Sequence, residues 1–225
     1  MYTTKVGIIW DLDGTLVDTM EIHFQAWSAL AKEVNKPLAR ETFEATFGRR
    51  NADIVRPMFG MELTDDDVEW YGERKEELYR VQARKGVDLT PGARSLLEQL
   101  QLAGFPQAIG SSAPRANIHL IMQLTQTTHF FKAVVSVEDT TSGKPDPRVF
   151  QIAAQRLDLP PSRCVVIEDA PAGVQAAKNG GMKSIGVRAV GHHSSEFLYG
   201  SGADLVVPNL MQLSVDKIYQ LVAAN

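Results

Sequence analysis

The sequence predicts an α/β fold in which a parallel sheet has helices on both faces and an α-helical domain is inserted. Three observations support this fold class. Short apolar runs typical of buried strands recur along the 225 residues, helical patterns lie between most of them, and one long stretch has helical patterns only. Strands that alternate with helices form parallel sheets, and this length accommodates one core with a smaller insertion.

The strands are predicted from six short apolar runs. They are residues 6–10, 106–110, 133–137, 164–167, 184–187 and 205–207. The first run ends abruptly at Asp11-Leu12-Asp13-Gly14-Thr15, a pattern that indicates a buried strand opening into a polar loop. We therefore expect a cluster of polar side chains directly after the first strand.

The inserted domain is predicted over residues 17–85, between two parts of the core at 1–16 and 86–225. The periodicity of its first helix places five residues on one face: Met20, His23, Trp27, Leu30 and Val34. Its last helix follows Thr64 as N-cap, with three aspartates in the first turn. That helix places Val68, Tyr71, Lys75 and Leu78 on one face. The core resumes at residues 88–92, which form a turn and a helix start.

Composition narrows the classes of partner. The chain has 23 Lys and Arg against 27 Asp and Glu, for a net charge of −4, so it has no general attraction to nucleic acid or anionic membranes. No segment approaches the roughly 20 apolar residues that span a bilayer, and the amino terminus lacks the apolar stretch of a signal peptide. The single Cys164 excludes an internal disulfide and a thiolate zinc site. We expect a cytoplasmic monomer that acts on a small molecule.

Polar clusters follow the first four predicted strands, where ligands bind in open parallel sheets. They are Asp11-Leu12-Asp13, Ser111-Ser112, Gly143-Lys144-Pro145 and Glu168-Asp169. Four carboxylates that converge at neighbouring strand ends need a cation to be tolerated. Mg²⁺ fits them better than Ca²⁺ or Zn²⁺, because it prefers octahedral oxygen coordination and leaves room for a substrate phosphate oxygen.

These clusters together describe a pocket for phosphoryl transfer. Lys144 supplies a point charge and Ser111 a hydroxyl, and the helix that starts near Pro114 offers backbone N–H groups to an anion. Asp11 can attack phosphorus to form an acyl phosphate, and Asp13 can shuttle the proton of the leaving group. Each cluster alone is more often a turn, a cap or a surface feature, so the prediction depends on finding all four in this order.

The residues resemble the haloacid dehalogenase superfamily of phosphotransferases. The resemblance is carried by the aspartate motif at 11–15, Ser111, Lys144 in Gly-Lys-Pro-Asp-Pro, and Glu168-Asp169 in Val-Ile-Glu-Asp-Ala, and it covers essentially the whole chain. It implies a Rossmann-like core. The insertion directly after the first motif is similar to the α-helical cap of the β-phosphoglucomutase-like branch.

The resemblance also implies roles for the motif residues. Asp11 is the nucleophile, Asp13 the general acid and base, and Ser111 and Lys144 bind the phosphoryl group. The implied Mg²⁺ is held by Asp11, the backbone carbonyl of Asp13 and Asp169, with Glu168 assisting.

Residues of the predicted cap divide two hypotheses about the reaction. His23 in His-Phe-Gln-Ala-Trp and Lys75 in Arg-Lys match the mutase, although His23 could instead be a hydrogen-bonded core histidine and Lys75 a side chain that snorkels to water. The mutase has arginine three residues after a cap-loop glycine, whereas this chain has Asn51 after Gly48. In the core, Ala113 and Pro114 replace a serine and a lysine of the mutase. A threonine at position 15 resembles the phosphatases more than the mutase, which has valine there.

We therefore predict a Mg²⁺-dependent phosphatase that acts on a small phosphorylated sugar or related metabolite. The alternative is a β-phosphoglucomutase that interconverts β-glucose 1-phosphate and glucose 6-phosphate, with nearby arginines supplying the missing charge. The candidate substrate-binding residues are His23, Gly48, Arg49, Arg50, Asn51, Lys75, Ser112 and Arg115. A catalytically silent binding protein would lack at least one catalytic carboxylate, and all of them are present.

Overall fold

The computed structural model describes residues 2–47, 49–190 and 193–223. The chain divides into two compact units, one formed by Met1–Asp18 with Asp88–Asn225 and the other by Thr19–Val87. Among the described residues, no helix is both long enough and apolar enough to cross a membrane.

The first unit is built on a six-stranded parallel sheet with the order β3-β2-β1-β4-β5-β6. Its strands are β1 (Gly7–Trp10), β2 (Gln107–Gly110), β3 (Phe131–Val135), β4 (Cys164–Glu168), β5 (Lys183–Val187) and β6 (Leu205–Val207). The predicted α/β class and parallel sheet are confirmed. The prediction for β3 was two residues late, because this edge strand begins at Phe131 and Lys132, and the exposed lysine hides the strand from an apolar pattern.

The helices follow in chain order. They are α1 (Met20–Glu33), α2 (Arg40–Glu44), α3 (Asn51–Phe59), α4 (Asp65–Ala83), α5 (Ala93–Leu102), α6 (Arg115–Leu124), α7 (Arg148–Leu157), α8 (Pro171–Asn179), α9 (Ser195–Gly200) and α10 (Val215–Ala223). Of these, α1 to α4 lie in the second unit and α5 to α10 in the first.

The centre of the sheet is apolar on both faces, as expected for strands covered by helices on both sides. Every residue of β1 and β4 is buried. On one face, α7 packs Phe150, Ala153 and Leu157 into a core that includes Ile9 and Val166. Full burial of each large apolar side chain contributes about 1.5–3 kcal/mol, and this core fixes the strand ends that carry the polar clusters.

The second unit is a helical bundle in which α1 packs against α4. The predicted start of α4 is confirmed: Thr64 Oγ1 accepts a hydrogen bond from Asp67 N at 3.2 Å, and the Asp67 carboxylate accepts one from Thr64 N at 2.8 Å. The predicted face of α1 extended one residue too far. Val34 lies beyond the helix, which ends before Asn35 turns to a φ of 52°.

Candidate active site

The Asp11 loop leaves the sheet at the carboxyl end of β1. Asp11 is buried, and its backbone N–H donates to Ile167 O at 3.0 Å, which ties the loop to the neighbouring β4. The loop then turns sharply at Gly14, whose φ is 93°. A Cβ at Gly14 would lie 2.2 Å from Asp169 Oδ2, so only glycine lets the two loops approach this closely.

Three buried carboxylates meet where β1 and β4 end. Asp11, Glu168 and Asp169 each offer one oxygen atom, and these atoms all lie within 4.8 Å of one another. Asp13 is half-buried in the same loop as Asp11 and lies outside this group of three. The structure therefore brings together the side chains of Asp11, Glu168 and Asp169, whereas Asp13 was expected to bind the metal through its backbone carbonyl.

Lys144 reaches this carboxylate group from the loop before α7. Its Nζ lies 2.5 Å from Asp11 Oδ1 and 2.7 Å from Glu168 Oε1, and all three side chains are buried. The ammonium also lies 4.8 Å from the centroid of the Phe150 ring. A charged lysine at this position is suited to stabilise a phosphoryl group attached to Asp11.

Burial and mutual repulsion change the ionisation of these groups. Burial raises the pKa of Asp11 to about 7, with the charge of Glu168 adding to the rise and Lys144 opposing it. Burial likewise raises the pKa of Asp169 well above its ordinary value, and the charges of Glu168 and Asp11 add to the effect. For Lys144, burial lowers the pKa, but the two carboxylates outweigh burial and the net shift is upward.

This donor set fits a hard divalent cation. Of the three buried carboxylates, Asp11 and Glu168 pair with Lys144, and burial next to like charges raises the pKa of Asp11 and of Asp169, which favours a cation at this site. All three ligands are oxygen atoms, which is the chemistry that Mg²⁺ prefers. A bound cation would favour the ionised form of both aspartates.

Two threonines support the site, and sequence reasoning gave them no such role. Thr15 Oγ1 donates to Asp169 Oδ1 at 2.9 Å, and Thr90 Oγ1 donates to the backbone carbonyl of Thr15 at 2.6 Å. Both threonines are buried. The contacts join residues 154 and 75 positions apart, so no local pattern in the sequence could reveal them.

Glu168 is held by contacts of its own. In addition to Lys144, its carboxylate accepts a hydrogen bond from Ala170 N at 2.6 Å. The first turn of α8 contributes Gly173, and a Cβ there would lie only 1.7 Å from Glu168 Oε1. A glycine at this position is therefore required by the buried carboxylate.

Ser111 follows β2 at the same edge of the sheet. It is buried, its N–H donates to Val135 O at 3.0 Å, and its Oγ accepts a hydrogen bond from Ala113 N at 3.0 Å. Ser112 is half-buried beside it. The phosphoryl-binding role of Ser111 and the substrate-binding role of Ser112 stay predictions.

The start of α6 differs from the expectation of an open anion site. The backbone N–H of Arg115 donates to both oxygens of Glu138 at 3.1 Å, so a carboxylate of the chain already binds there. The Arg115 guanidinium lies 2.8 Å from Asp139, in a second contact with the same segment. The structure thus places Arg115 in an acidic environment, and its contact with substrate stays a prediction.

A polar cluster lies inside the helical unit. Lys75 Nζ is 2.8 Å from His23 Nδ1 and 2.8 Å from Glu76 Oε1, and Asn51 Nδ2 donates to the same Glu76 oxygen at 2.7 Å. The Lys75 side chain is only 3% exposed, so the alternative in which it snorkels to water is wrong. Sequence reasoning selected His23, Asn51 and Lys75 but missed Glu76.

The remaining candidates lie on the segment before α3. Arg49 is exposed and Arg50, which directly precedes the helix, is half-buried. Gly48 lies outside the described residues. The structure leaves their predicted contacts with substrate untested.

Comparisons with known proteins identify the family to which this fold belongs. The family model of haloacid dehalogenase-like hydrolases matches residues 8–187. A β-phosphoglucomutase of Bacillus subtilis is 32% identical over 221 residues, covering 95% of this chain and 94% of that protein. Hexitol phosphatase A of Escherichia coli is 34% identical over 214 residues, covering 94% of each.

Solved structures show the same similarity. The crystal structure of a haloacid dehalogenase hydrolase of family IA, variant 3, from Entamoeba histolytica is 27% identical and has a TM-score of 0.88, covering 97% of this chain and 99% of that one. The fold and these relatives thus define an α/β enzyme of phosphoryl transfer. The chain belongs to the haloacid dehalogenase-like hydrolase family.

Proposed function

We propose that the protein is a Mg²⁺-dependent phosphatase that hydrolyses a small phosphorylated sugar or related metabolite through an aspartyl-phosphate. The observation that carries this proposal is the contact of Lys144 with Asp11 beside the buried Asp169. This proximity supports a reaction in which Asp11 is the nucleophile, Lys144 binds the phosphoryl group and Asp169 binds the metal. The similarity to a hexitol phosphatase supports the same reaction class.

In the proposed first half-reaction, a carboxylate oxygen of Asp11 attacks the phosphorus atom and the P–O bond to the substrate alcohol breaks. Asp13 donates a proton to the departing alkoxide, so the products are an alcohol and the Asp11 acyl phosphate. Lys144 and Ser111 stabilise the negative charge of the transferring group.

In the second half-reaction, Asp13 takes a proton from water, and the water oxygen attacks the acyl phosphate. The P–O bond to Asp11 breaks, which restores the carboxylate and releases inorganic phosphate. Mg²⁺, bound by Asp11, Asp169 and the backbone carbonyl of Asp13 with assistance from Glu168, would offset negative charge on the phosphoryl group. Thr15 keeps Asp169 oriented through the 2.9 Å hydrogen bond.

The second unit supplies the candidates for substrate selection. We assign to it the role of a cap in which His23 and Lys75, with Arg49, Arg50 and Asn51, recognise the organic part of the substrate. We further expect the enzyme to act as a cytoplasmic monomer, without nucleic acid or membrane partners.

A second candidate function is that of a β-phosphoglucomutase, which interconverts β-glucose 1-phosphate and glucose 6-phosphate. It is favoured by the 32% identity with such an enzyme over nearly the whole chain. In a mutase, the acyl phosphate is passed to a sugar hydroxyl instead of water, so a second phosphate has to be bound during turnover.

One experiment separates the two functions. The enzyme is incubated in one tube with Mg²⁺, β-glucose 1-phosphate and a trace of glucose 1,6-bisphosphate. A phosphorus NMR time course then follows the formation of glucose 6-phosphate and free phosphate. Free phosphate supports the phosphatase, whereas accumulation of glucose 6-phosphate supports the mutase. If neither product forms, phosphate release is measured across a panel of sugar and polyol phosphates. No phosphate release from any member of that panel contradicts both functions.

Two variants test the assigned roles. Asp11→Asn should abolish turnover, because an amide is a poor nucleophile and weakens the metal site. Asp13→Asn should lose turnover of alkyl phosphates while the fold and Mg²⁺ binding persist. Retained steady-state activity of Asp11→Asn, or unchanged turnover by Asp13→Asn, removes that residue from its role.

A further inference from the structure

The ring of Phe150 is a third partner of the buried Lys144 ammonium, beside Asp11 and Glu168. Lys144 Nζ lies over the ring, 4.8 Å from its centroid, and the ring is fully buried. The negative face of an aromatic ring attracts a cation at this distance, and the attraction is stronger where water is excluded. The Lys144 side chain is only 7% exposed, so the contact belongs to the stronger, desolvated kind.

Close packing fixes the position of this ring. A Cβ at Gly110, the last residue of β2, would lie 2.8 Å from Phe150 Cδ1 and 3.1 Å from Cε1. The ring therefore lies directly against the strand backbone, in an apolar core that includes Ile9. Phe150 lies in the first turn of α7, and its N–H donates to Pro147 O at 3.1 Å. A ring enclosed in this way is a fixed point against which a flexible side chain can be placed.

The Lys144 side chain depends on such contacts because it is long and rotatable. It comes from the loop before α7, in which Asp146 N donates to Gly143 O at 3.0 Å. In the same loop, Arg148 N donates to Asp146 Oδ1 at 2.9 Å. These bonds fix the backbone that carries Lys144, whereas its four-carbon stem can adopt several conformations. Contacts of the ammonium itself therefore determine where its charge lies.

The ring differs from both carboxylate partners in what happens to it during turnover. In the proposed reaction, Asp11 forms and then breaks a bond to phosphorus, so the charge that Lys144 faces changes in each half-reaction. Glu168 belongs to the group of carboxylates proposed to hold Mg²⁺. Phe150 forms no bond and carries no net charge, so its attraction for the ammonium is the same before and after phosphoryl transfer. It can therefore hold Lys144 in place while the other contacts change.

We propose that Phe150 is a positioning residue that holds the Lys144 ammonium at the phosphoryl site through the face of its ring. This inference rests on the proposed phosphatase function and adds to it a buried residue outside the polar clusters. Phe150 acts through Lys144 and takes no part in bond making. Because its contribution is electrostatic, it depends on the electron density of the ring and not only on the shape of the ring.

Fluorine substitution tests this contribution while the shape of the ring changes little. Phe150 is replaced, by site-specific incorporation, with 4-fluoro-, 3,5-difluoro- and 3,4,5-trifluorophenylalanine, which withdraw electron density from the ring face in steps. The kcat/KM for p-nitrophenyl phosphate with Mg²⁺ should fall at each step, with a loss of about threefold to thirtyfold in the trifluoro variant. The kcat should fall as well, because Lys144 stabilises charge on the transferring group.

The matched control is the same series at Phe105, which is 4% exposed. Phe105 lies before β2, at the opposite end of that strand from Ser111, and its aromatic neighbours are Tyr2 and Tyr219. Its fluorination should leave kcat/KM unchanged. Urea denaturation of each variant gives the folded fraction, so that every constant is expressed per folded molecule.

Phe150→Leu provides a second route to the same result, because leucine keeps an apolar side chain but has no ring face. Its kcat/KM per folded molecule should fall, whereas that of Phe105→Leu should equal the wild type. This pair decides the matter if the fluorinated proteins do not fold.

A constant kcat/KM across the Phe150 series overturns the inference, as does an equal fall in the Phe105 series. In the leucine pair, an unchanged kcat/KM for Phe150→Leu overturns it. Hydrolysis of p-nitrophenyl phosphate by the wild type, and its loss in Asp11→Asn, tests the phosphatase function separately. If that hydrolysis occurs but the Phe150 series is flat, only the inference about Phe150 fails. If the wild type releases no phosphate from this ester or from the sugar and polyol phosphates, the proposed function fails and the positioning role fails with it.

Discussion

A single methyl group at Gly173 should disrupt the buried end of β4. An alanine Cβ at this position would lie 1.7 Å from Glu168 Oε1, 2.1 Å from Cδ and 2.6 Å from Cγ. These distances are far below van der Waals contact, and they involve most of the side chain. Because Gly173 lies in the first turn of α8 and Glu168 is 1% exposed, Gly173→Ala should force the carboxylate out of its place.

The cost follows from the contacts that Glu168 would lose. Its carboxylate bonds to Lys144 Nζ at 2.7 Å and to Ala170 N at 2.6 Å. Hydrogen bonds to charged groups contribute about 1.5–3 kcal/mol each, so loss of both costs about 3–6 kcal/mol. Alanine recovers about 0.5–1 kcal/mol of helix propensity relative to glycine. The net loss in the free energy of unfolding should therefore be about 2–5 kcal/mol.

Urea denaturation followed by intrinsic fluorescence measures this loss, and Gly200→Ala is the matched control. Gly200 ends α9, and a Cβ there would meet nothing within 4 Å, so its replacement should be neutral or stabilise by up to about 1 kcal/mol. Activity per folded molecule should fall in Gly173→Ala alone, because Lys144 loses one of its two carboxylate partners. If Gly173→Ala unfolds at the same urea concentration as Gly200→Ala, the reasoning is refuted.

Three further predictions concern single side chains. Thr15→Val removes the hydrogen bond to Asp169 and should weaken Mg²⁺ binding about threefold to tenfold in titration calorimetry; an unchanged affinity would show that the bond does not orient the ligand. Burial raises the pKa of the Cys164 thiol to about 12, so iodoacetamide should label the native protein at pH 8 far more slowly than the urea-unfolded protein, and equal rates would contradict its burial. Burial raises the pKa of Asp139, but hydrogen bonds from Arg156 and Ser136 outweigh it and lower the pKa overall. The stability that Asp139 contributes is therefore present above its unfolded pKa near 3.9 and is lost as pH falls toward the lower folded value. Asp139→Asn should lower the free energy of unfolding by about 1 kcal/mol at pH 7 and by less at pH 3. If urea denaturation gives the same difference between wild type and variant at both pH values, the ion pair of Asp139 with Arg156 does not stabilise the fold.

Much of the fold was predictable because apolar runs and helix caps are patterns of neighbouring residues in the sequence. The apolar run before Asp11 and the run of β4 are buried on both faces, so every residue contributes to the pattern. The edge strand β3 was misplaced by two residues because Lys132 and its half-buried neighbours follow no apolar pattern. The start of α4 was also predictable from local sequence, because Thr64 and Asp67, the third residue of the helix, form reciprocal hydrogen bonds between side chain and backbone.

The contacts that support the site were not predictable, since they join residues far apart in the chain. Nothing around Thr15 indicates that its hydroxyl binds Asp169 rather than capping a turn. Glu76 looked like one more acidic residue on a helix rich in charge, and only packing shows that it is buried against Lys75 and Asn51. Residue types therefore indicated the chemistry, while tertiary packing determined which side chains support it.

The positions of the proposed catalytic groups along the chain also determine the order in which the site assembles during synthesis. Lys144 follows Asp11 by 133 positions, and the acidic pair comes later still, where β4 ends. Because β1 lies between β2 and β4 in the sheet, the strand that leads into Asp11 gains its second neighbour only when β4 has been made. A nascent chain that stops before β4 contains Asp11 and Lys144 but lacks Glu168 and Asp169, so the group of three carboxylates cannot form until β4 has joined the sheet.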